Sequence, residues 1–202
     1  MERRARIFSV KIILGLVGMM VLAGCAGPKS RMAVLSEPPA AAKPQSDKAT
    51  IIFYRSHSDS ELISASVFDV SMEPPRLVGI LSSRMKLAYV AEPGIRHFMV
   101  ISQTADFMDA ELAAGKTYYA LAVPNLPSYG SSSWVRFSLH PRVATDPDLA
   151  DELSGLKWVE NTRLSEHWAE ANMNSIEKKR DASWPEWQKK PDKPVLKTDD
   201  GR

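Results

Sequence analysis

The thiol of Cys25 is the side chain whose type and position indicate the most definite chemistry, and it is the only cysteine of the chain. It follows Leu22-Ala23-Gly24, where two small residues suit the narrow site of a signal peptidase. A thiol in this arrangement, a lipobox, accepts diacylglycerol. Because lipid would consume the only thiol, disulfides, redox pairs and cysteine-ligated metals are excluded. Gly24 and Cys25 are therefore the predicted cleavage residues, and Cys25 is the predicted lipidation site.

Three other strings resemble catalytic or nucleotide-binding motifs, but each lacks a part that the chemistry needs. Ser83 and Lys86 have the S-x-x-K spacing of penicillin-binding enzymes, whose serine begins a buried helix, whereas this string lies between predicted strands. Gly115-Lys116-Thr117 resembles the end of a phosphate-binding loop, yet Ala110 stands where the first glycine is required. Ser131-Ser132-Ser133 lacks the flanking glycines of a nucleophile elbow. The sequence therefore predicts no enzyme and no catalytic residue.

The histidines do not have the short paired spacings that are typical of metal sites. The four are His57, His97, His140 and His167. His57 with Asp59, or His167 with Glu170, would ligate only weakly, and both pairs are better explained as surface residues. We expect no metal and no other cofactor.

Tryptophan is concentrated near the C-terminus, and two interpretations of this cluster stay open. The residues are Trp158, Trp168, Trp184 and Trp187, with Trp134 apart from them. They either anchor a helix on the rest of the fold or form an exposed surface that binds protein or sugar. Trp168 lies one helical turn from Leu164, which favours packing. Trp187 follows Pro185, where a helix should break, which favours exposure. The candidate partner-binding residues are thus Trp187, Trp184 and Trp158.

Residues 1–24 have the pattern of an export signal peptide. A basic start is followed by an apolar run, Ile12–Ala23, that is shorter than the roughly 20 residues a membrane-spanning helix needs. Its removal takes four of 26 basic residues and one of 24 acidic ones, so the net charge falls from +2 to −1. This charge does not favour a nucleic-acid partner. Acyl chains on Cys25, at about 0.8 kcal/mol per buried CH₂, would tether the protein to a membrane that it does not span.

The remaining chain divides by composition into four segments. Residues 25–47, the lipidated cysteine and a proline-rich stretch, are predicted to be a disordered linker with a span of roughly 25 Å. Residues 48–145 predict a mainly β fold, an antiparallel β-sandwich of seven or eight strands, because short apolar runs alternate with turn residues and no helix intervenes. These runs are Ala49–Tyr54, Leu62–Val70, Arg76–Leu81, Lys86–Ala91, Ile95–Ser102, Phe107–Leu112, Lys116–Val123 and Ser133–His140.

The last two segments are predicted from helix signals and charge. Residues 146–190 form a helical, Trp-rich arm, with a short helix over 148–153 and a longer one over 162–183. Residues 191–202 are expected to be a disordered tail, because they are charged and contain prolines.

Two motifs in the β region resemble a known family. They are Glu92-Pro93-Gly94-Ile95-Arg96-His97-Phe98 and Ala114-Gly115-Lys116-Thr117-Tyr118-Tyr119. Together they resemble a family of uncharacterised bacterial lipoproteins, the domain of unknown function 2846, over Ala49 to Val123. The resemblance implies a small β-sandwich and an envelope location, but no reaction. Residues 69–75 depart from the family, which has an Asp-Gly hairpin there. Physically, Gly94 and Gly115 are expected to take the positive φ that begins a strand after a turn.

These observations predict a non-catalytic cell-envelope lipoprotein that serves protein interaction or envelope structure. Ala26 stands in place of the aspartate that retains lipoproteins in the inner membrane, so we expect the outer membrane, facing the periplasm. The expected partners are the membrane, through the lipid, and an envelope protein or peptidoglycan. Two alternatives are a peptidoglycan or glycan binder that uses the tryptophans and an envelope hydrolase. The hydrolase would need a cleft that gathers His57, Asp59, Ser83 and Lys86.

Overall fold

The computed structural model describes residues 31–56, 63–125 and 135–202. Its strands are β1 (Met32–Leu35), β2 (Ala49–Arg55), β3 (Ala65–Asp69), β4 (Arg76–Leu81), β5 (Met85–Ala91), β6 (Gly94–Ile101), β7 (Ala105–Leu112), β8 (Thr117–Asn125), β9 (Arg136–Arg142), β10 (Lys157–Asn161) and β11 (Val195–Leu196). Its α-helices are α1 (Leu149–Leu153), α2 (Arg163–Ala171) and α3 (Met173–Gln188). Short 3₁₀ turns lie at Ala40–Ala42 and Thr198–Asp200. None of the helices in these ranges has the length and apolar composition needed to cross a bilayer.

The strands form two sheets around a shared core. The six-stranded sheet has the order β1-β10-β5-β2-β8-β9, and the five-stranded sheet has the order β11-β7-β6-β3-β4. Alternate residues of each strand point between the sheets, as for Phe53 of β2 and Phe98 of β6, whose rings meet edge to face at 5.1 Å. The prediction of a mainly β fold is confirmed.

The sheets are mixed, so the purely antiparallel arrangement predicted from the sequence is wrong. Parallel pairs join β2 to β8, β10 to β5 and β11 to β7. A short hairpin forces its two strands to be antiparallel, but strands joined by a long excursion are free of that constraint. Here β2 and β8 are separated by five strands, most of which belong to the other sheet. Both can therefore run in the same direction at the centre of the larger sheet.

The expected boundaries at residues 48, 145 and 191 do not hold, because segments outside them complete the sheets. In the predicted linker, β1 pairs with β10 of the predicted helical arm. In the predicted tail, β11 pairs with β7 and buries Leu196 completely. Beyond it, the main chain of Arg202 exchanges hydrogen bonds of 2.7 and 3.1 Å with that of Thr117. A sheet edge offers unpaired main-chain groups to any nearby segment, so such short strands form despite an unfavourable composition.

The long helix predicted over residues 162–183 is two helices. Thr162 caps α2, as its hydroxyl accepts hydrogen bonds from the amides of Leu164 and Ser165. Asn172 separates α2 from α3, because its side-chain amide donates to the Trp168 carbonyl at 2.7 Å and ends the first helix. The predicted stripe is also shifted. Leu164 is 57% exposed, and the buried face of α2 is formed by Ser165 and Ala169.

Both strand-starting glycines have the expected conformation. Gly94 has a φ of +113° and Gly115 has a φ of +77°. A Cβ at Gly115 would meet nothing closer than the Ser46 carbonyl at 3.9 Å. Any penalty for a side chain there therefore comes from the backbone conformation, and the surrounding space contributes almost nothing.

Gly115→Val is expected to lower the free energy of unfolding by about 1 to 3 kcal/mol, the usual cost of holding an ordinary residue at positive φ. Gly115→Asn should cost clearly less, because asparagine tolerates the left-handed region. Thermal melts of both variants measure the difference, with Ala114→Val at the neighbouring exposed position as a control for a β-branched side chain. Equal melting temperatures for the two Gly115 variants would contradict the argument.

Candidate functional site

Gly24 and Cys25, the predicted cleavage and lipidation residues, lie outside the described residues, as do His57, Asp59 and the serines at 131–133.

Arg31, the first described residue, is held in place by contacts with α2 and the residue that caps it. The Thr162 hydroxyl donates to the Arg31 carbonyl at 2.5 Å, and β1 starts at the next residue. The Arg31 guanidinium lies 5.4 Å from the ring centre of Trp168, which is half-buried. The chain is thus anchored from residue 31 onward.

Trp187 is buried, so the prediction that it is exposed is wrong. Helix α3 continues through Pro185 and ends only at Gln188. The Trp187 side chain is 3% exposed, stacks on Trp184 at 5.1 Å and packs on Phe107 of β7 at 5.6 Å. These contacts stabilise the last helical turn although Pro185 lacks a main-chain donor. Trp187 therefore offers no open face to a partner.

Trp184 borders a cleft of about 430 Å³ whose charged groups are paired with one another. On one wall, Nδ1 of His97 lies 2.6 Å from a carboxylate oxygen of Asp109, and the imidazole meets Trp184 edge to face at 5.4 Å. On the other wall, Arg180 forms ion pairs with Glu73 at 2.6 Å and Asp181 at 2.9 Å. The pairing of these groups indicates that they fasten α3 to the smaller sheet.

Trp158 borders a different kind of cavity, with a volume of about 510 Å³, on the outer face of the larger sheet. It is half-buried and lies beside Lys86 in the parallel pairing of β10 with β5. The Lys86 ammonium lies 4.9 Å from the centre of the indole. Tyr119 of β8 forms part of the wall, and the Arg202 guanidinium donates to its hydroxyl at 3.3 Å. Two cations and two aromatic rings thus border one cavity.

No acidic side chain of the described residues compensates the two cations of this cavity. Among the described residues, no Asp or Glu side chain lines it, and none forms an ion pair with Lys86 or Arg202. Lys86 instead donates to the Leu153 carbonyl at 2.9 Å. Burial lowers the pKa of Lys86, because the ammonium loses contact with water and gains no opposite charge. An anion bound in this cavity would compensate the positive charges of Lys86 and Arg202.

The Glu152 carboxylate of α1 is held by other groups. Glu152 accepts a hydrogen bond from Arg142 at 2.6 Å and another from the hydroxyl of Tyr54. Arg142 also binds Asp146 at 2.9 Å. Burial, followed by the hydrogen bond to Glu152, raises the pKa of Tyr54, which keeps the phenol protonated as a donor. This network joins α1 to the sheet and engages the Glu152 carboxylate. The sequence gives no sign of the contact with Tyr54, because that residue is far from Glu152 in the chain.

The S-x-x-K string does not have the geometry that its chemistry needs. Ser83 lies in the turn between β4 and β5, Arg84 has a φ of +60°, and Lys86 is already in β5. The helix that presents the serine in penicillin-binding enzymes is therefore missing at this position. Elsewhere in the described ranges, no three His, Cys, Asp or Glu side chains come together as a possible metal site.

The sequence was compared with family models and with curated proteins. No family model matches the sequence. No curated protein matches it either. The resemblance to the domain of unknown function 2846 stays a prediction.

Proposed function

We propose that this protein is a non-catalytic lipoprotein of the cell envelope, tethered by acyl chains on Cys25 and serving protein interaction or envelope structure. The observation that carries the proposal is the lipobox, Leu22 to Cys25, at the end of a basic and then apolar N-terminal segment. The same segment is too short for a permanent membrane span. The lipid is therefore the proposed means of attachment.

The position of β1 supports a short distance between the domain and the membrane. Only residues 26–31 separate Cys25 from Met32, the first residue of β1. A fully extended chain rises at most about 3.5 Å per residue, so Met32 lies within roughly 25 Å of the lipidated residue. The disordered linker expected up to residue 47 would have let the domain float clear of the headgroups. The edge that carries β1 and the start of α2 is instead the proposed membrane-proximal side.

We further propose the inner leaflet of an outer membrane, facing the periplasm, as the location. The residue after Cys25 is Ala26, whereas retention in the inner membrane uses an aspartate at that position. Ser83 lies in a turn and does not begin a helix, and Lys86 donates to the Leu153 carbonyl. Both observations support a binding or structural role over hydrolysis.

Metabolic labelling of the full chain with radioactive palmitate tests the proposal. We expect the label to appear in the mature chain, and the labelled protein to sediment with outer-membrane fractions and to resist extraction by high salt or alkaline carbonate. Detergent should release it. An unlabelled protein that is recovered in the soluble fraction would refute the lipid tether, whereas a labelled protein in inner-membrane fractions would refute only the proposed location.

A further inference from the structure

The cavity beside Trp158 has the composition of a ligand site as well as the size. It lies over β2 and β8, on the face of the larger sheet that points away from the smaller sheet. Ile52 and Tyr119 form its floor, and Leu153 of α1 lies at its rim. Ligand sites are commonly concave, mostly apolar, and between about 300 and 1,000 Å³. A volume of about 510 Å³ lies within that range and fits one sugar ring with its substituents.

The charges of the cavity select an anion. Lys86 belongs to β5 and Arg202 to the C-terminal stretch, and neither forms an ion pair with an Asp or Glu side chain among the described residues. Glu152 of α1 is already paired with Arg142. A partly buried cation without a counter-ion gains more from a carboxylate than an exposed one does, because water screens the attraction less.

The exposed part of Trp158 selects the rest of the ligand. Trp158 is half-buried, offers an apolar surface beside Lys86, and is not stacked on another aromatic side chain in the described structure. Tyr119 is buried under the Arg202 guanidinium and forms only part of the floor. The C–H face of a pyranose packs on an apolar surface like that of Trp158, while its hydroxyls reach the polar edge of the cavity. We propose that this cavity binds an acidic sugar, with the ring against Trp158 and the carboxylate met by Lys86 and Arg202.

This inference does not depend on lipidation of Cys25, so the two proposals can fail separately. Its test is titration calorimetry of the full lipidated chain in detergent micelles with two probes. N-acetylmuramic acid carries a lactyl carboxylate, and N-acetylglucosamine has the same ring without it. We expect saturable binding of N-acetylmuramic acid and at least about tenfold weaker binding of N-acetylglucosamine, the usual effect of losing a charge-assisted hydrogen bond.

Variants assign the binding to this cavity. Lys86→Met keeps an apolar stem beside Trp158 but removes the charge, and should weaken N-acetylmuramic acid binding by about tenfold or more. Lys178→Met, at an exposed position of α3, is the matched control and should leave binding unchanged. If circular dichroism shows that Lys86→Met does not fold, Arg202→Gln decides by the same comparison. Absence of saturable N-acetylmuramic acid binding, equal affinity for both sugars, or equal affinities in the cavity and control variants would overturn the proposal.

Discussion

Replacing Cys25 with serine is expected to leave the chain as an unprocessed, unlipidated precursor. A hydroxyl is a poor substitute for the thiol that accepts diacylglycerol, and the lipid must be in place before the signal peptide is removed. The loss should be complete, because the acyl chains contribute about 0.8 kcal/mol for each buried CH₂ and no second anchor is proposed. Gel mobility and palmitate labelling of the variant measure it. A cleaved, membrane-bound variant with the mobility of the native mature protein would contradict the assignment.

A relocated thiol provides the matched control for this variant. Adding Ser30→Cys to the Cys25→Ser chain restores one cysteine but places it away from the Leu22-Ala23-Gly24 sequence. We expect no lipidation of this double variant, since the acceptor is defined by its position after the lipobox. The fold should be unaffected in both chains, because the described contacts that fix the N-terminal part of the domain involve Arg31 and the residues after it.

Trp187→Ala is expected to cause the largest loss of stability among single tryptophan replacements, about 3 to 5 kcal/mol, because it empties a buried aromatic site. The ring stacks on Trp184 and packs on Phe107, so its removal also loosens α3 from β7. Trp168→Ala should cost less, since the Trp168 side chain is only half-buried. Chemical denaturation of both variants gives the two free energies of unfolding. A larger loss at position 168 than at 187 would contradict this order.

Trp187→Phe tests the contribution of the aromatic ring to stability separately from that of the indole N–H group. The indole nitrogen of Trp187 is buried and has no hydrogen-bond partner among the described residues, a cost of about 1 to 3 kcal/mol. Phenylalanine keeps most of the contact with Phe107 and removes that donor. We therefore expect a far smaller loss than for alanine, and a phenylalanine variant as unstable as the alanine variant would show that the ring contacts are not what matters.

The strands of the β region could be predicted because their signals are local. Arg76–Leu81 has the predicted bounds, and β5, β7 and β8 each differ from prediction by only one or two residues at either end. Alternating apolar residues define each strand, and Gly94 and Gly115 start two of them through positive φ. These signals lie within a few residues of the chain, so a strand can be predicted without knowing which strands it pairs with.

The order of the strands and the short edge strands could not be predicted, since they depend on which segments meet. Nothing in Met32–Leu35 distinguishes a linker from a strand until the edge of β10 is beside it. Pro185 was expected to end a helix, but contacts of Trp187 with the sheet outweigh the missing hydrogen bond. Intrinsic preferences of this kind are weak compared with tertiary packing.

The candidate ligand cavity is predictable only in part. Strand alternation places Lys86 on the outer face of β5, opposite to Leu87, and β propensity places Tyr119 in β8. The sequence identifies Trp158 as a candidate partner-binding residue, but it does not identify the other residues that line the cavity. Arg202 belongs to a stretch whose composition indicates disorder, and only its pairing with Thr117 brings it to the cavity.

That pairing also bears on when the domain can fold. Leu196 and the last residues complete both sheets, and Gly201 lies so close to the ring of Tyr118 that a Cβ there would come within 2.6 Å of it. If the chain is exported N-terminus first, as we propose, its core cannot be completed until Leu196 has emerged. Long-range pairing of this kind slows folding. The precursor of the proposed lipoprotein would thus stay loose enough to be threaded through a translocation channel, and the pairing of β11 with β7 would be a late step of folding on the far side.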